Sequence, residues 1–178
     1  MVYFMSFKVD GGCRNNGYRN AVAAAACCLF LRGHRYKYKT EEVPTPTNQR
    51  AEITAIIMAL EWALDKYYHE LDTSPRLLAK IKSDSRYAVN CMNEWIYKWT
   101  RNGWYNAAGN EVANRDLIEK ASDLDDRLKE LGNVEYIWIP RTDNVEADKH
   151  CNEKLDEMEA NNRGYSSDDD DSDDSDYY

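Results

Sequence analysis

Four acidic residues stand where packing alone gives a carboxylate little reason to be. Asp10 follows the alternating run Tyr3, Met5, Phe7, Val9, and Asp84 follows the apolar stretch from Leu77 to Lys82. Glu52 and Asp148 fall in the first turns of two helical segments, on the stripes that carry Ile56 with Ala63 and Cys151 with Leu155. Carboxylates are rarely buried unless paired. If the four converge, each pair near 4 Å repels by about 4 kcal/mol at a near-surface dielectric, against a typical domain stability of about 5–15 kcal/mol. Convergence therefore calls for a bound cation. An all-oxygen set open to water suits Mg²⁺, with Mn²⁺ as a substitute, and two such ions suit phosphodiester hydrolysis. Taken singly, each acid has a plainer reading: Glu or Asp in a first helical turn complements the helix dipole, and Asp before Gly is a turn residue. The joint placement favours chemistry.

The elements that would position these acids are legible from period and punctuation. Val2 to Val9 alternates as a strand that Asp10 would end. Val22 to Leu31 is ambiguous, because alanine prefers helix, yet Gly17 and Gly33 frame it as a hairpin partner of Arg35 to Val43, and we read it as a strand. Pro44 and Pro46 stop that third strand. From Asn48 the period becomes helical, with Thr47 or Asn48 as the cap and Ile53, Ile56, Ile57, Leu60, Leu64 and Tyr67 at spacings of three and four. Leu77 to Lys82 reads as a fourth strand, and a helix with Tyr87, Cys91, Trp95 and Trp99 on one stripe follows it. Asn114 opens a third helix that Gly132 would stop. Val134 to Ile139 reads as a fifth strand, and Asn144 would cap a last helix through about Glu159. The order β-β-β-α-β-α-α-β-α predicts an α/β domain: one five-stranded mixed sheet with helices on both faces. The carboxyl edge of such a sheet is where ligands bind, so acids reaching it can share one site.

Composition sets the bounds. The formal charge is −9, but seven aspartates lie in the last eleven residues, which leaves −2 on the body, and such a body can still carry a basic groove. The five cysteines, Cys13, Cys27, Cys28, Cys91 and Cys151, form no C-x-x-C pair, which argues against a disulfide framework or zinc site and for an intracellular, reducing compartment. Ala21 to Leu31 is too short to span a bilayer, and no secretory signal is evident, so no membrane partner is expected. We expect a catalytic domain over 1–162 and a disordered, solvated Ser/Asp tail over 163–178.

The local motifs resemble those of the type 1 ribonuclease H family in its eukaryotic form. Asp10-Gly11-Gly12-Cys13-Arg14-Asn15-Asn16-Gly17 is similar to its D-G-x-x-x-x-N-G signature, and Thr47-Asn48-Gln49-Arg50-Ala51-Glu52 to the T-N-Q-R-A-E that opens its first helix. Ser83-Asp84-Ser85 and Asn144-Val145-Glu146-Ala147-Asp148 resemble its third and last acidic motifs. Asn90 through Asn114, with Trp95, Trp99 and Asn102-Gly103-Trp104, is similar to its substrate-binding region. The likeness covers residues 2 to about 158 in the same element order. It implies a ribonuclease H-like fold, a monomer, and two-metal hydrolysis of the RNA strand of an RNA–DNA hybrid to 5′-phosphate and 3′-hydroxyl ends, with Asp10, Glu52, Asp84 and Asp148 as metal ligands.

By the same resemblance Asn16, Asn48, Gln49 and the backbone of Cys13 would read RNA 2′-hydroxyls in the minor groove. Short amides that both donate and accept suit that group. Thr47 and Asn114 would hold a DNA phosphate, and Tyr87 and Trp99 would line a channel that admits a DNA sugar. For Trp95 we prefer core packing. There are departures from the family pattern. The loop Pro140-Arg141-Thr142-Asp143 lacks the histidine that many relatives carry, and Arg141 is the candidate substitute as a cation near the departing phosphate. His34, His69 and His150 are expected on the surface. Thr45 stands where some relatives carry a phosphate-binding arginine, and the amino-terminal hybrid-binding module of many eukaryotic relatives is not expected. Two rival readings are a catalytically weak or silent hybrid-binding module on the same fold and a DNA-cutting nuclease. Cleavage of hybrid but not duplex DNA separates both from the leading reading.

Overall fold

The computed structural model describes residues 1–165. Five strands form one mixed sheet in the order β3-β2-β1-β4-β5. The strands are β1 (Val2–Arg14), β2 (Val22–Phe30), β3 (Tyr36–Glu42), β4 (Arg76–Ser83) and β5 (Gly132–Trp138). The β1, β2 and β3 segments run as antiparallel neighbours, while β4 and β5 join parallel to β1. Parallel neighbours need crossovers, here α1 (Asn48–Glu70) ahead of β4 and the helical stretch ahead of β5. That stretch comprises α2 (Arg86–Asn90), a π turn (Cys91–Trp95), α3 (Ile96–Asn102) and α4 (Arg115–Leu131). The last helix, α5 (Val145–Tyr165), packs on β2, β1 and β3.

Strand β2 shows why an alanine-rich run becomes a strand. Ala23, Ala25, Cys27 and Leu29 enter the main core with Phe7, Ile53, Ile56, Leu60 and Ile81, and Val22, Ala24 and Ala26 face Cys151 and Leu155 of α5. Burial on both faces overrides the helix propensity of alanine. Each fully buried Ile, Leu or Phe contributes about 1.5–3 kcal/mol, so the α1 side carries most of the stabilisation. The thin layer under α5 is supplemented by polar ties: Lys8 to Glu146 at 2.9 Å, Arg14 to Asp156 at 2.6 Å and to Glu159 at 2.9 Å, and Lys154 to Glu42 at 3.4 Å.

Several expectations are corrected. Asp10 does not end β1: the strand continues to Arg14 because its antiparallel partner β2 keeps pairing as far as Arg14 opposite Val22. The second helix is interrupted by the π turn. Gly132 is extended (φ 164°) and starts β5 directly, and glycine is required there because a Cβ would lie 1.9 Å from the Leu77 carbonyl oxygen. The α5 helix runs past Glu159 to Tyr165. His150 is buried: it stacks on Tyr38 with ring centroids 3.6 Å apart, and its ring nitrogens meet the Tyr36 hydroxyl at 3.0 Å and Glu153 at 2.8 Å. The aromatic side chains of β3 form that cover, which helical spacing alone does not reveal. The expectation of a disordered tail over 163–178 does not hold for 163–165, which continue α5, and the rest of it, from 166 on, lies outside the described residues.

Candidate active site

The two strand-borne acids are neighbours by register. In the parallel β1/β4 pair Val9 lies opposite Ser83, so Asp10 and Asp84 are the next residues on strands spaced about 4.8 Å apart. Glu52 is brought to them by a close approach. Thr47 caps α1, its hydroxyl accepting from the Arg50 N–H at 3.1 Å, and the first turn of α1 lies directly against Gly11. A Cβ on Gly11 would stand 2.1 Å from the Ala51 carbonyl carbon and 2.3 Å from the Glu52 nitrogen, so only glycine lets the helix reach β1 there. Asp148 occupies the first turn of α5, its N–H donating to the Asn144 carbonyl at 3.0 Å.

Small polar side chains hold these acids. The fully buried Asn144 donates its amide N–H groups to the Val9 carbonyl at 2.9 Å and to Asp84 Oδ1 at 3.3 Å, tying the ends of β1 and β4 to the start of α5. Its amide oxygen has no hydrogen-bond partner, so the expected side-chain cap is replaced by this bridge. The Ser85 hydroxyl donates to Glu52 Oε2 at 2.6 Å and accepts from the Ala88 N–H at 3.1 Å, capping α2 and aiming Glu52 with one oxygen. The Trp138 indole N–H donates to the Asp84 carbonyl at 3.0 Å. Arg141, in a 3₁₀ turn (Arg141–Asp143), donates to Asp148 Oδ1 at 2.8 Å.

Asp10, Glu52, Asp84, Asp148 and Arg141 line one open cavity of about 350 Å³. Burial, together with the charges of Asp84 and Asp148, pushes the Asp10 carboxyl up to about 8, against the lowering effects of Arg141 and the Gly11 N–H. Burial and Asp84 also raise Glu52, and its bond from Ser85 opposes them. The carboxylates thus oppose one another's ionisation, which is the condition under which a divalent cation binds. Among the described residues no three His, Cys, Asp or Glu side chains close into a tight cage around one point. Carboxylates spread around a wet cavity suit hard cations that keep several waters and take one or two protein ligands each, as Mg²⁺ does.

The predicted substrate contacts fall into three groups, with Asn16 outside them. Cys13 and Asn48 line the same cavity, the Cys13 N–H donating to Asn48 Oδ1 at 2.9 Å. Beside them, the Asn114 amide donates to Gln49 Oε1 at 3.3 Å and to the Tyr87 hydroxyl at 3.1 Å, with Asn114 in the left-handed region (φ 60°). Burial pushes the Tyr87 phenol up to about 12, which keeps it a neutral hydrogen-bonding group. Trp99 lies farther out, reached from Tyr87 through Trp95 by centroid steps of 5.9 and 5.6 Å, and lines a second cavity of about 350 Å³ with Asn102 and Tyr105. Trp95 packs partly buried against the core, as expected. Asn16 is exposed in the turn after β1 and lines neither cavity. Ser85 and the bridging role of Asn144 escaped the sequence reading; a serine just ahead of a helix is an N-cap signal that marks the first.

A model of the RNase H family matches residues 4–161. A ribonuclease H of Clostridium botulinum (strain Hall) is 33% identical over 154 residues, covering 84% of this chain and 93% of that protein. The crystal structure of LC11-RNase H1 with an RNA/DNA hybrid superposes with a TM-score of 0.64 at 22% identity, covering 86% of this chain and 98% of that one. RNase H1 of the archaeon Halobacterium salinarum NRC-1 superposes at 0.58 and 22% identity, covering 87% and 99%. These structures share the fold, and no helix among the described residues is long and apolar enough to cross a membrane. The family model spans most of the chain and the Clostridium botulinum relative is covered almost end to end, so the chain, with its four carboxylates from β1, α1, the end of β4 and α5 gathered on one cavity, belongs to the ribonuclease H family, an enzyme family generally dependent on metal ions.

Proposed function

We propose that this chain is an endonuclease that hydrolyses the RNA strand of an RNA–DNA hybrid, with Mg²⁺ as its metal and Mn²⁺ as a substitute, acting as a monomer. The observation that carries the reading is the convergence of Asp10, Glu52, Asp84 and Asp148 on one cavity, with the Asp10 carboxyl raised to about 8. Two divalent ions held by these four carboxylates would supply activation of the attacking water and stabilisation of the leaving 3′-oxygen. The chain's own side chains do the rest. Ser85 and Asn144 fix the rotamers of Glu52 and Asp84, so little reorganisation is needed when the phosphate arrives. Arg141, its side chain 76% exposed, is a cation lining the cavity; transferred from Asp148 to the scissile phosphate, it would take the place of the loop histidine of other family members.

Asn48 in the cavity and Gln49 beside it offer two amides suited to 2′-hydroxyls, which alone mark the RNA strand, and the Cys13 N–H, held by Asn48 Oδ1, would join them by exchanging that bond. Asn16, in the neighbouring turn, would extend that set. Thr47 and Asn114 would hold a DNA phosphate, with Tyr87 and Trp99 flanking the sugar path. The catalytic unit on this reading is 1–162, with 163–178 outside it. The test is a labelled hybrid incubated in Mg²⁺ beside duplex DNA. Cleavage of the RNA strand alone, leaving 5′-phosphate ends, supports the proposal. Binding without cutting leaves the silent binding module, and equal cutting of duplex DNA rejects hybrid selectivity.

A further inference from the structure

The sheet has an opening at the end opposite the acids. Pairing between β1 and β2 begins only at Ser6 opposite Phe30, whereas β4 already pairs with β1 from Val2 opposite Arg76. After Phe30 the chain turns away through Leu31 to Arg35, closed by the Leu31 N–H to the Arg35 carbonyl at 2.8 Å. Residues Val2–Met5 therefore have a strand partner on one edge only among the described residues. Alternate residues of a strand direct their N–H and C=O to the same edge, so two of these four present unpaired donors and acceptors. Such an edge is a template for another strand. A cavity of about 640 Å³ lies alongside, lined among others by Val2, Phe4, Phe30, Leu31 and Arg32. Val2 is 58% and Phe4 54% exposed. The outer edge of the sheet is guarded differently, since β3 carries Lys37, Lys39, Glu41 and Glu42, the charged pattern that discourages pairing.

We infer that the amino-terminal end of β1 is a docking site for an extended segment of a partner protein in which apolar side chains alternate with carboxylates, added as a strand where β2 stops short. The charge at the opening selects the acidic character. Lys66 is engaged by Glu70, and Lys80 by Glu135 at 3.5 Å while also lying over the Phe4 ring. Arg32 lines the opening and carries no ion pair among the described residues, while Arg76, also without one, lies one strand away on β4, opposite Val2 on the far edge of β1. Main-chain bonds give affinity in such strand addition, and side-chain pockets give specificity. Met5 stands five strand residues before Asp10, roughly 17 Å away at 3.3 Å per residue, so an occupant leaves the acid cavity open, and the segment tethers the enzyme without blocking it. This chain's own 166–178 is too poor in strand-forming residues to be the occupant.

The test uses the full chain and a fluorescein-labelled heptapeptide of alternating Glu and Val. Saturable binding with a Kd of about 1–100 µM is expected, with slowed amide exchange confined to alternate residues between Val2 and Ser6 and hybrid cleavage unchanged. The double variant Arg32→Glu, Arg76→Glu, both exposed positions, should weaken binding at least about tenfold while its circular dichroism matches the parent. A Lys–Val counterpart should not bind. Failure to saturate, protection along Tyr36–Glu42 instead, or an unaffected double variant would overturn the inference. Deletion of 166–178 that by itself strengthens peptide binding would also overturn it, because the site would then belong to the chain's own acidic end.

Discussion

Replacing Asp10 by asparagine in the metal-free protein should raise its stability at neutral pH, and the structure sets the size of the effect. The Asp10 carboxyl moves from 3.8 in the unfolded chain to about 8 in the fold, driven first by burial and then by Asp84 and Asp148. Below pH 3.8 the group is protonated in both states and costs nothing. Between 3.8 and 8 the unfolded chain releases the proton while the folded one keeps it, so stability falls as pH rises, by about 1.36 kcal/mol per unit. Above 8 the loss is complete and constant. At pH 7 some three units have been crossed, a ceiling of roughly 4 kcal/mol; water in the open cavity screens part of it, leaving about 2–4 kcal/mol. For a chain of this size that is a melting shift of about 5–15 °C. Thermal melts followed by circular dichroism in EDTA at pH 4, 7 and 9 should show Asp10→Asn above the parent at 7 and 9, with the gap closed at 4. Mg²⁺ should then raise the parent more than the variant, because ligand binding to the folded state stabilises it in proportion to affinity. A variant that melts at or below the parent at pH 7, or a gap that persists at pH 4, would refute the claim that these carboxylates repel one another.

Asp84→Asn should reduce hybrid cleavage at least about a thousandfold, with hybrid affinity within about threefold, as gel-shift and single-turnover assays would show. Arg141→Ala should lower kcat about tenfold with KM nearly unchanged, and Arg141→Lys should retain part of the rate, because the proposed role needs a cation rather than a shape; equal loss in both variants would point to the Asp148 contact instead. Gly11→Ala drives a Cβ to 2.1 Å from the backbone of α1, and should cost more than about 3 kcal/mol in urea unfolding, as overpacking against immovable backbone does. Ser85→Ala removes a helix cap as well as the Glu52 bond, so a loss of about 1 kcal/mol should accompany weaker Mg²⁺ binding by calorimetry.

Local geometry wrote much of this protein into its sequence. Period-two and period-3.6 apolar patterns follow from backbone rise and twist alone, so β1, β3, β4, β5 and the α1 stripe are legible without a partner in view. The alanine-rich β2 is read only from the glycines that frame it as a hairpin partner, and the α1 cap stays open between Thr47 and Asn48. The motifs around the four acids are legible too, as are Glu52, Asp84 and Asp148 at the starts or ends of elements, whereas Asp10 lies inside β1. Contacts across the fold are another matter. Whether β1 ends at Asp10 or runs on to Arg14 depends on how far β2 pairs with it, and whether His150 meets water depends on Tyr36 and Tyr38, more than a hundred residues earlier. The bridge from Asn144 to Asp84 and Val9, the grip of Ser85 on Glu52, and the Arg141–Asp148 pair likewise exist only once register and crossover are set. A periodic pattern is a property of one segment. The separation between two side chains on different segments is decided by the packing of all the elements between them.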